Sequence, residues 1–131
     1  MTAGPSADLS GSSILVVEDE FYLAIDVERV LRNAGALVVG PFPTGHLAIA
    51  ALNANVSAAV VDLNLRRGPE FEVARALRAA GVPFVFLTGY DSAMIPAEFA
   101  DIDCFQKPAN FTGLLRKLAQ LVRKADAPEP I

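Results

Sequence analysis

Residues 57–65 read SAAVVDLNL, a run of small and β-branched apolar residues that leads directly into a carboxylate at Asp62. The uninterrupted apolar segment 58–61 predicts a strand buried on both faces, because a half-exposed strand alternates apolar and polar side chains. A carboxylate at the end of such a strand costs several kcal/mol unless other groups compensate its charge. Compensating groups are therefore expected close to Asp62 in the folded chain.

The remainder of the chain alternates between strand and helix patterns. Short apolar runs predict four further strands, at 13–17, 36–39, 83–87 and 102–105. Apolar residues at helical spacing predict four helices, at 21–34, 44–53, 70–80 and 110–124. Gly40-Pro41 is expected to close the second strand. The segment 89–103 contains Pro96 and only a weak helical pattern, so the helix expected there is short or mobile.

This alternation predicts an α/β fold with a doubly wound, five-stranded parallel sheet covered by helices on both faces. The expected architecture is flavodoxin-like, (βα)5, with strand order 2-1-3-4-5. A closed eightfold barrel needs roughly twice the 131 residues of this chain. We expect one domain over residues 12–124, with flexible tails at 1–11 and 125–131.

Composition excludes several classes of protein. The net charge of −4 and the scattered Lys and Arg residues argue against a nucleic-acid surface. No apolar run reaches the roughly 18 residues of a membrane span, and the N-terminus lacks the pattern of a secretory signal. The single cysteine, Cys104, excludes an internal disulfide and fits a reducing compartment. A cytoplasmic protein is therefore expected.

Polar residues follow four of the predicted strands, and parallel strands end at the same edge of a sheet. These residues are Glu18 and Asp19, Asp62, Thr88, and Lys107. Each alone is commonly a helix cap or a loop residue, but their joint occurrence favours a site. Two carboxylates about 4 Å apart repel by roughly 4 kcal/mol at an effective dielectric constant of about 20, so a cation is expected. Oxygen ligands without His or Cys select Mg2+, with Mn2+ as a substitute.

This set of residues suits phosphoryl transfer. An aspartate carboxylate can attack phosphorus and form an aspartyl-phosphate. The transferred group carries its charge on three oxygens, which need positive charge and hydrogen-bond donors. The Lys107 ammonium and the Thr88 hydroxyl would supply both. Asp62 is then tolerated at the strand end because it accepts the phosphoryl group.

Four motifs resemble the response-regulator receiver domain of bacterial two-component signalling: ILVVEDE (14–20), VVDLNL (60–65), FVFLTGY (84–90) and FQKP (105–108). The resemblance covers residues 12–124. It implies that Asp62 is the phosphoacceptor and that Thr88 and Lys107 are the switch hydroxyl and the phosphate-pairing lysine. It also implies a magnesium site formed by Asp19 directly, Glu18 through water, Asp62, and the backbone carbonyl of Asn64.

The sequence departs from that family at the switch aromatic, which lies three residues before the lysine. Cys104 stands there, and the adjacent Phe105 is expected on the opposite face of the strand. The loop LNLRRGPE also lacks the early proline that usually follows the phosphoacceptor. PFVFLTGYD resembles the "FAT GUY" subgroup of receivers, with Leu87 in place of alanine, which implies that Tyr90 replaces the missing aromatic. That subgroup is often paired with histidine kinases of the HWE or HisKA2 type.

The resulting expectation is a single-domain response regulator, a signalling phosphoacceptor rather than an enzyme. Its partner is a histidine kinase or a histidine phosphotransfer protein, docked near Phe21, Tyr22 and Ile25, and the protein is a monomer or a weak dimer. A pseudo-receiver, an interaction module that is never phosphorylated, is the alternative. A haloacid-dehalogenase-type phosphatase is disfavoured because it needs a second acid where Asn64 stands. A phosphate sink, a relay intermediate and an allosteric effector all remain open.

Overall fold

Strands and helices alternate along the residues that the computed structural model describes, which are 8–63, 71–88, 95–106 and 111–126. The strands are β1 Ser13–Val17, β2 Leu37–Phe42, β3 Ala58–Asp62, β4 Phe84–Thr88 and β5 Cys104–Gln106. The α-helices are α1 Phe21–Asn33, α2 Gly45–Ala51, α3 Glu72–Ala79 and α4 Phe111–Asp126. None of the helices in these ranges is long and apolar enough to cross a membrane.

The strands form one parallel sheet in the order β2-β1-β3-β4-β5. This confirms the predicted α/β fold, with a five-stranded, doubly wound sheet and flavodoxin-like order. The central strands pair in register, Val17 with Val61 and Asp62 with Leu87. The carboxyl ends of β1, β3 and β4 therefore lie at one edge of the sheet, beside the reversal of strand order.

Each face of the sheet has its own apolar core, because successive side chains of a strand point to opposite faces. Helices α2 and α3 cover the face that carries Leu15, Val61 and Phe86. Helices α1 and α4 cover the face that carries Val16, Val60 and Leu87. Strands β3 and β4 are buried along their whole length. That burial explains the continuous apolar run before Asp62.

The second strand is longer than predicted, since Gly40-Pro41 does not close it and β2 continues to Phe42. Gly40 adopts φ +106°, and a Cβ there would lie 2.9 Å from the Val16 carbonyl oxygen, so the close approach needs glycine. The pairing with β1 shifts register between Leu15 and Val17. Proline is tolerated because β2 is an edge strand, where a missing backbone N–H leaves no ladder bond unmade.

The packed chain begins before residue 12. Leu9 was predicted to lie in the flexible tail 1–11, and this part of the prediction is wrong. Leu9 is fully buried in the core on the α1 and α4 face. Its backbone N–H donates to the carbonyl oxygen of Ala34 at 2.8 Å, just after α1. The fifth strand begins at Cys104 rather than at residue 102.

The connection between β4 and β5 contains a short 3-10 turn, Ala97–Phe99, within its described part, residues 95–103. This agrees with the expectation of a short element before β5. The first part of the connection, residues 89–94, lies outside the described residues.

Truncation of Leu77 tests the α3 side of the core. Leu77 is fully buried, so Leu77→Ala is expected to lower the free energy of unfolding by about 2–5 kcal/mol through lost burial and a residual cavity. Leu47 on α2 is 46% exposed, and Leu47→Ala is expected to cost under about 1 kcal/mol. Urea unfolding of both variants measures the difference. Equal losses would contradict the described packing.

Candidate functional site

Three carboxylates meet at the carboxyl ends of β1 and β3. One oxygen from each of Glu18, Asp19 and Asp62 lies within 4.8 Å of the other two. Glu18 and Asp62 are 3% and 1% exposed, while Asp19 is half-buried. The structure thus brings together the three acids that the sequence analysis placed in a metal site.

The backbone around β1 holds Glu18 in this position. Its N–H donates to the carbonyl oxygen of Phe42 at 2.9 Å, a bond that exists because β2 continues past Gly40-Pro41. Its Oε2 accepts a hydrogen bond of 2.9 Å from the N–H of Glu20. Both contacts fix the turn that leads from β1 to the site.

Glu20 has a different role from the two acids before it. It is the N-cap of α1, and its carboxylate accepts hydrogen bonds from the N–H groups of Tyr22 and Leu23 at 3.2 and 2.6 Å. A carboxylate at this position accepts hydrogen bonds from N–H groups that have no backbone partner in the first turn of the helix. Its negative charge also interacts favourably with the helix dipole. The acidic triplet 18–20 therefore divides into two site residues and one cap, a division that residue type alone does not reveal.

Thr88 ends β4 at the same edge of the sheet and is 3% exposed. The preceding residue, Leu87, pairs with Asp62 and accepts a hydrogen bond of 2.9 Å at its carbonyl oxygen from the N–H of Leu63. Thr88 therefore lies on the strand next to the one that carries Asp62. The other predicted site residues, Asn64, Tyr90 and Lys107, lie outside the described residues.

Electrostatics favour a cation at the acidic cluster. Two unit charges about 4.8 Å apart repel by roughly 3–4 kcal/mol at an effective dielectric constant of about 20. Because two of the carboxylates are almost fully buried, water screens this repulsion poorly. Carboxylate oxygens are hard ligands, which suit a divalent ion such as Mg2+. The residues present therefore fit the metal site that the fold implies.

A groove of about 610 Å3 lies between the segments that lead into β3 and β4, lined in part by residues 52–57 and 80–83. Those segments enter the strands at their amino ends, so the groove lies at the opposite edge from the carboxylates. Its lining is apolar or neutral. The groove is therefore separate from the candidate site.

Cys104 occupies the β5 position beside Phe86. It packs against the core on the α3 face, whereas Phe105 packs against the other core, which confirms that the two side chains lie on opposite faces. Burial, with a smaller effect of the Asp103 charge, raises the pKa of the Cys104 thiol. The thiol is therefore protonated near neutral pH and acts as a small core side chain.

Solved structures with this fold include close relatives of the chain. The solution structure of SdrG from Sphingomonas melonis Fr1 is 36% identical, covers 90% of this chain and 99% of its own, and has a TM-score of 0.74. SdrG from Pseudomonas melonis Fr1, in a BeF3-activated conformation, is 36% identical over 86% of this chain and 98% of its own, with a TM-score of 0.72.

A third structure carries the family name. The crystal structure of a response regulator receiver protein from Sinorhizobium medicae WSM419 is 27% identical, covers 91% of this chain and all of its own, and has a TM-score of 0.76. No family model and no curated protein matches the sequence. The chain belongs to the response-regulator receiver family.

Metal binding at the cluster can be tested by thermal unfolding. Mg2+ at about ten times its Kd is expected to stabilise the wild type by about 1.4 kcal/mol, because it binds the folded chain. Asp19→Asn removes one ligand and should abolish this gain. In EDTA the same variant should be more stable than the wild type, because one repelling charge is lost.

Asp26→Asn is the matched control. Asp26 lies on α1 and pairs with Arg29 at the surface. This variant should keep the full response to Mg2+. An equal response of the Asp19 and Asp26 variants would contradict a metal site at the cluster.

Proposed function

We propose that this protein is a single-domain response regulator in which Asp62 accepts a phosphoryl group from a phosphohistidine of a histidine kinase or histidine phosphotransfer protein. The observation that carries the proposal is the position of Asp62. Asp62 is 1% exposed and ends a central strand. One of its oxygens lies within 4.8 Å of oxygens of two further carboxylates, and the neighbouring strand carries Thr88. A carboxylate with only a structural role would not be stabilised by a buried position close to two other carboxylates.

The transfer requires few groups. A carboxylate oxygen of Asp62 forms the new bond to phosphorus while the bond from phosphorus to the donor imidazole nitrogen breaks, and the imidazole leaves with the electron pair. The Thr88 hydroxyl can donate a hydrogen bond to a phosphoryl oxygen from the adjacent strand end. We assign Lys107 to a second oxygen, as its motif implies. A bound Mg2+ would supply the positive charge that the transferred oxygens need.

The product adds about 1.5 to 2 negative charges at the carboxyl edge of the sheet.

The finer assignments of this proposal follow from the receiver motifs. They comprise Tyr90 as the switch aromatic of a FAT GUY-type receiver, a kinase of the HWE or HisKA2 type, and a cytoplasmic signalling protein that turns over no external substrate. The BeF3-activated conformation of the related SdrG supports phosphoryl acceptance, since fluoroberyllate has the tetrahedral shape of a phosphoryl group.

An apolar patch on α1 supports a protein donor. Phe21, Tyr22 and Ile25 are 67%, 74% and 43% exposed, so core packing does not account for them. They lie within about 100° of one another around the first turns of the helix. The Phe21 and Tyr22 rings are in edge contact at 5.4 Å. Because α1 begins two residues after Asp19, a partner bound to this patch would reach the acidic cluster.

Phosphorylation is tested first by intact-protein mass. The wild type, incubated with Mg2+ and phosphoramidate or acetyl phosphate, should gain one phosphoryl group. Asp62→Asn should gain none, while Asp26→Asn should behave as the wild type. Since some receivers ignore small donors, a panel of histidine kinases follows if no mass is gained. Continued absence of labelling would favour the pseudo-receiver, an interaction module that binds partners without phosphorylation.

Docking at the α1 patch is tested with a kinase that phosphorylates the wild type. Phe21→Ala is expected to slow transfer from this kinase by about tenfold, because exposed aromatic side chains dominate binding at protein interfaces. Labelling by phosphoramidate should stay unchanged. Leu37→Ala is the control, because Leu37 is 63% exposed on β2, away from the patch. Equal slowing of both variants would exclude the patch as the docking surface.

A further inference from the structure

Phe99 stands at the centre of a group of four aromatic side chains beneath α3. It comes from the 3-10 turn between β4 and β5 and is 1% exposed. Its ring stacks on Phe71 with 5.7 Å between centroids. It meets Phe86 and Phe84 edge-on at 5.8 and 6.2 Å. Packing of this kind leaves little room for one ring to move alone.

These rings connect the two chain segments that lead away from the site. Phe71 is the N-cap of α3, the first helix after Asp62 in the sequence. Phe86 precedes Thr88 by two residues and points to the same face of β4. Phe99 contacts both, so it links the end of β4 to the start of α3.

Cys104 is too small to supply an aromatic ring to the core on the α3 face. The β5 position beside Phe86 is held by a small side chain, whereas the family motif places an aromatic residue there. Phe99 contributes a large aromatic ring to the same core, on the same face of the sheet. This ring comes from the connection between β4 and β5 rather than from strand β5.

Two ion pairs fasten the turn to α3. Arg75 pairs with Glu98 at 2.7 Å, and Arg78 pairs with Asp101 at 3.0 Å. Both guanidinium groups also lie over the Phe99 ring, at 5.9 and 5.4 Å from its centre. The hydrogen bond from Arg78 lowers the pKa of the Asp101 carboxyl, so this pair is ionised at neutral pH. Arginine above an aromatic face adds a cation–π attraction.

We propose that Phe99 couples the phosphorylation site to the protein surface on the α3 face of the sheet, in addition to the switch aromatic assigned to Tyr90, and that α3 together with the 3-10 turn forms the responsive surface. The inference rests on the proposed function of Asp62. A shift of Thr88 toward a phosphoryl group moves β4, Phe86 repacks against Phe99, and the fastened turn moves with α3. Packed interiors change between discrete arrangements rather than deforming gradually, so the response is a concerted one.

Hydrogen exchange can follow this coupling directly. The N–H groups of Phe99, Ala100 and Ile102 donate to carbonyl oxygens within the turn and serve as reporters. Beryllium fluoride with Mg2+ replaces the phosphoryl group. In the wild type, exchange in the turn and in α3 should change together, by about tenfold at the reporter amides. Peptides that contain Asp62 report independently whether the probe binds.

Phe99→Leu should keep binding of beryllium fluoride at Asp62 and lose the response of the turn. Phe105→Leu is the matched control, because Phe105 packs in the core on the other face of the sheet. It should keep both. An unchanged response in Phe99→Leu, or an equal loss in Phe105→Leu, would overturn the coupling role. No binding of the probe by the wild type would instead overturn the proposed function and this inference with it.

The ion pairs allow a second test in a variant that keeps the core intact. Arg75 and Arg78 are exposed, so the double variant R75Q/R78Q is expected to fold. Its reporter amides should exchange faster without the probe, and its turn and α3 should respond to beryllium fluoride by different amounts. A concerted response of wild-type size would exclude the fastening role of these pairs.

Discussion

The repulsion among three carboxylates at one edge of the sheet is the constraint on which the rest of this structure depends. Glu18, Asp19 and Asp62 offer oxygens within 4.8 Å of one another, and two of these residues are almost fully buried. Such a cluster opposes folding unless a cation binds. Its presence at the carboxyl ends of β1 and β3 is therefore a cost in stability that function explains.

The surrounding elements are built to hold that cluster in place. Strand β2 continues past Gly40-Pro41 to reach the backbone of Glu18, and Glu20 caps α1 so that the helix begins directly behind the acids. Strands β3 and β4 are buried throughout, so Asp62 and Thr88 are carried by the two fully buried strands of the sheet.

Away from the site, apolar contacts rather than charges connect the chain segments. On the α3 face, apolar contacts among Phe71, Phe86 and Phe99 join the segments that follow Asp62 and precede Thr88. Exposed ion pairs then attach the turn at Phe99 to α3. Strand β4 carries Thr88 at the edge of the site and Phe86 in the aromatic core, so it belongs to both.

Sequence alone determined the strand–helix alternation, the parallel sheet and its order, and the convergence of Glu18, Asp19 and Asp62, since buried parallel strands are continuous apolar runs and their ends meet at one edge. It did not determine that β2 passes through Gly40-Pro41, that Leu9 is core, that Glu20 caps a helix, or that Phe99 lies in the same core as Cys104. The Glu20 cap is a local contact with Tyr22 and Leu23, which a run of three acidic residues does not single out. The other three features depend on contacts between residues distant in sequence, about which local patterns carry no information. Only the tertiary structure decides them.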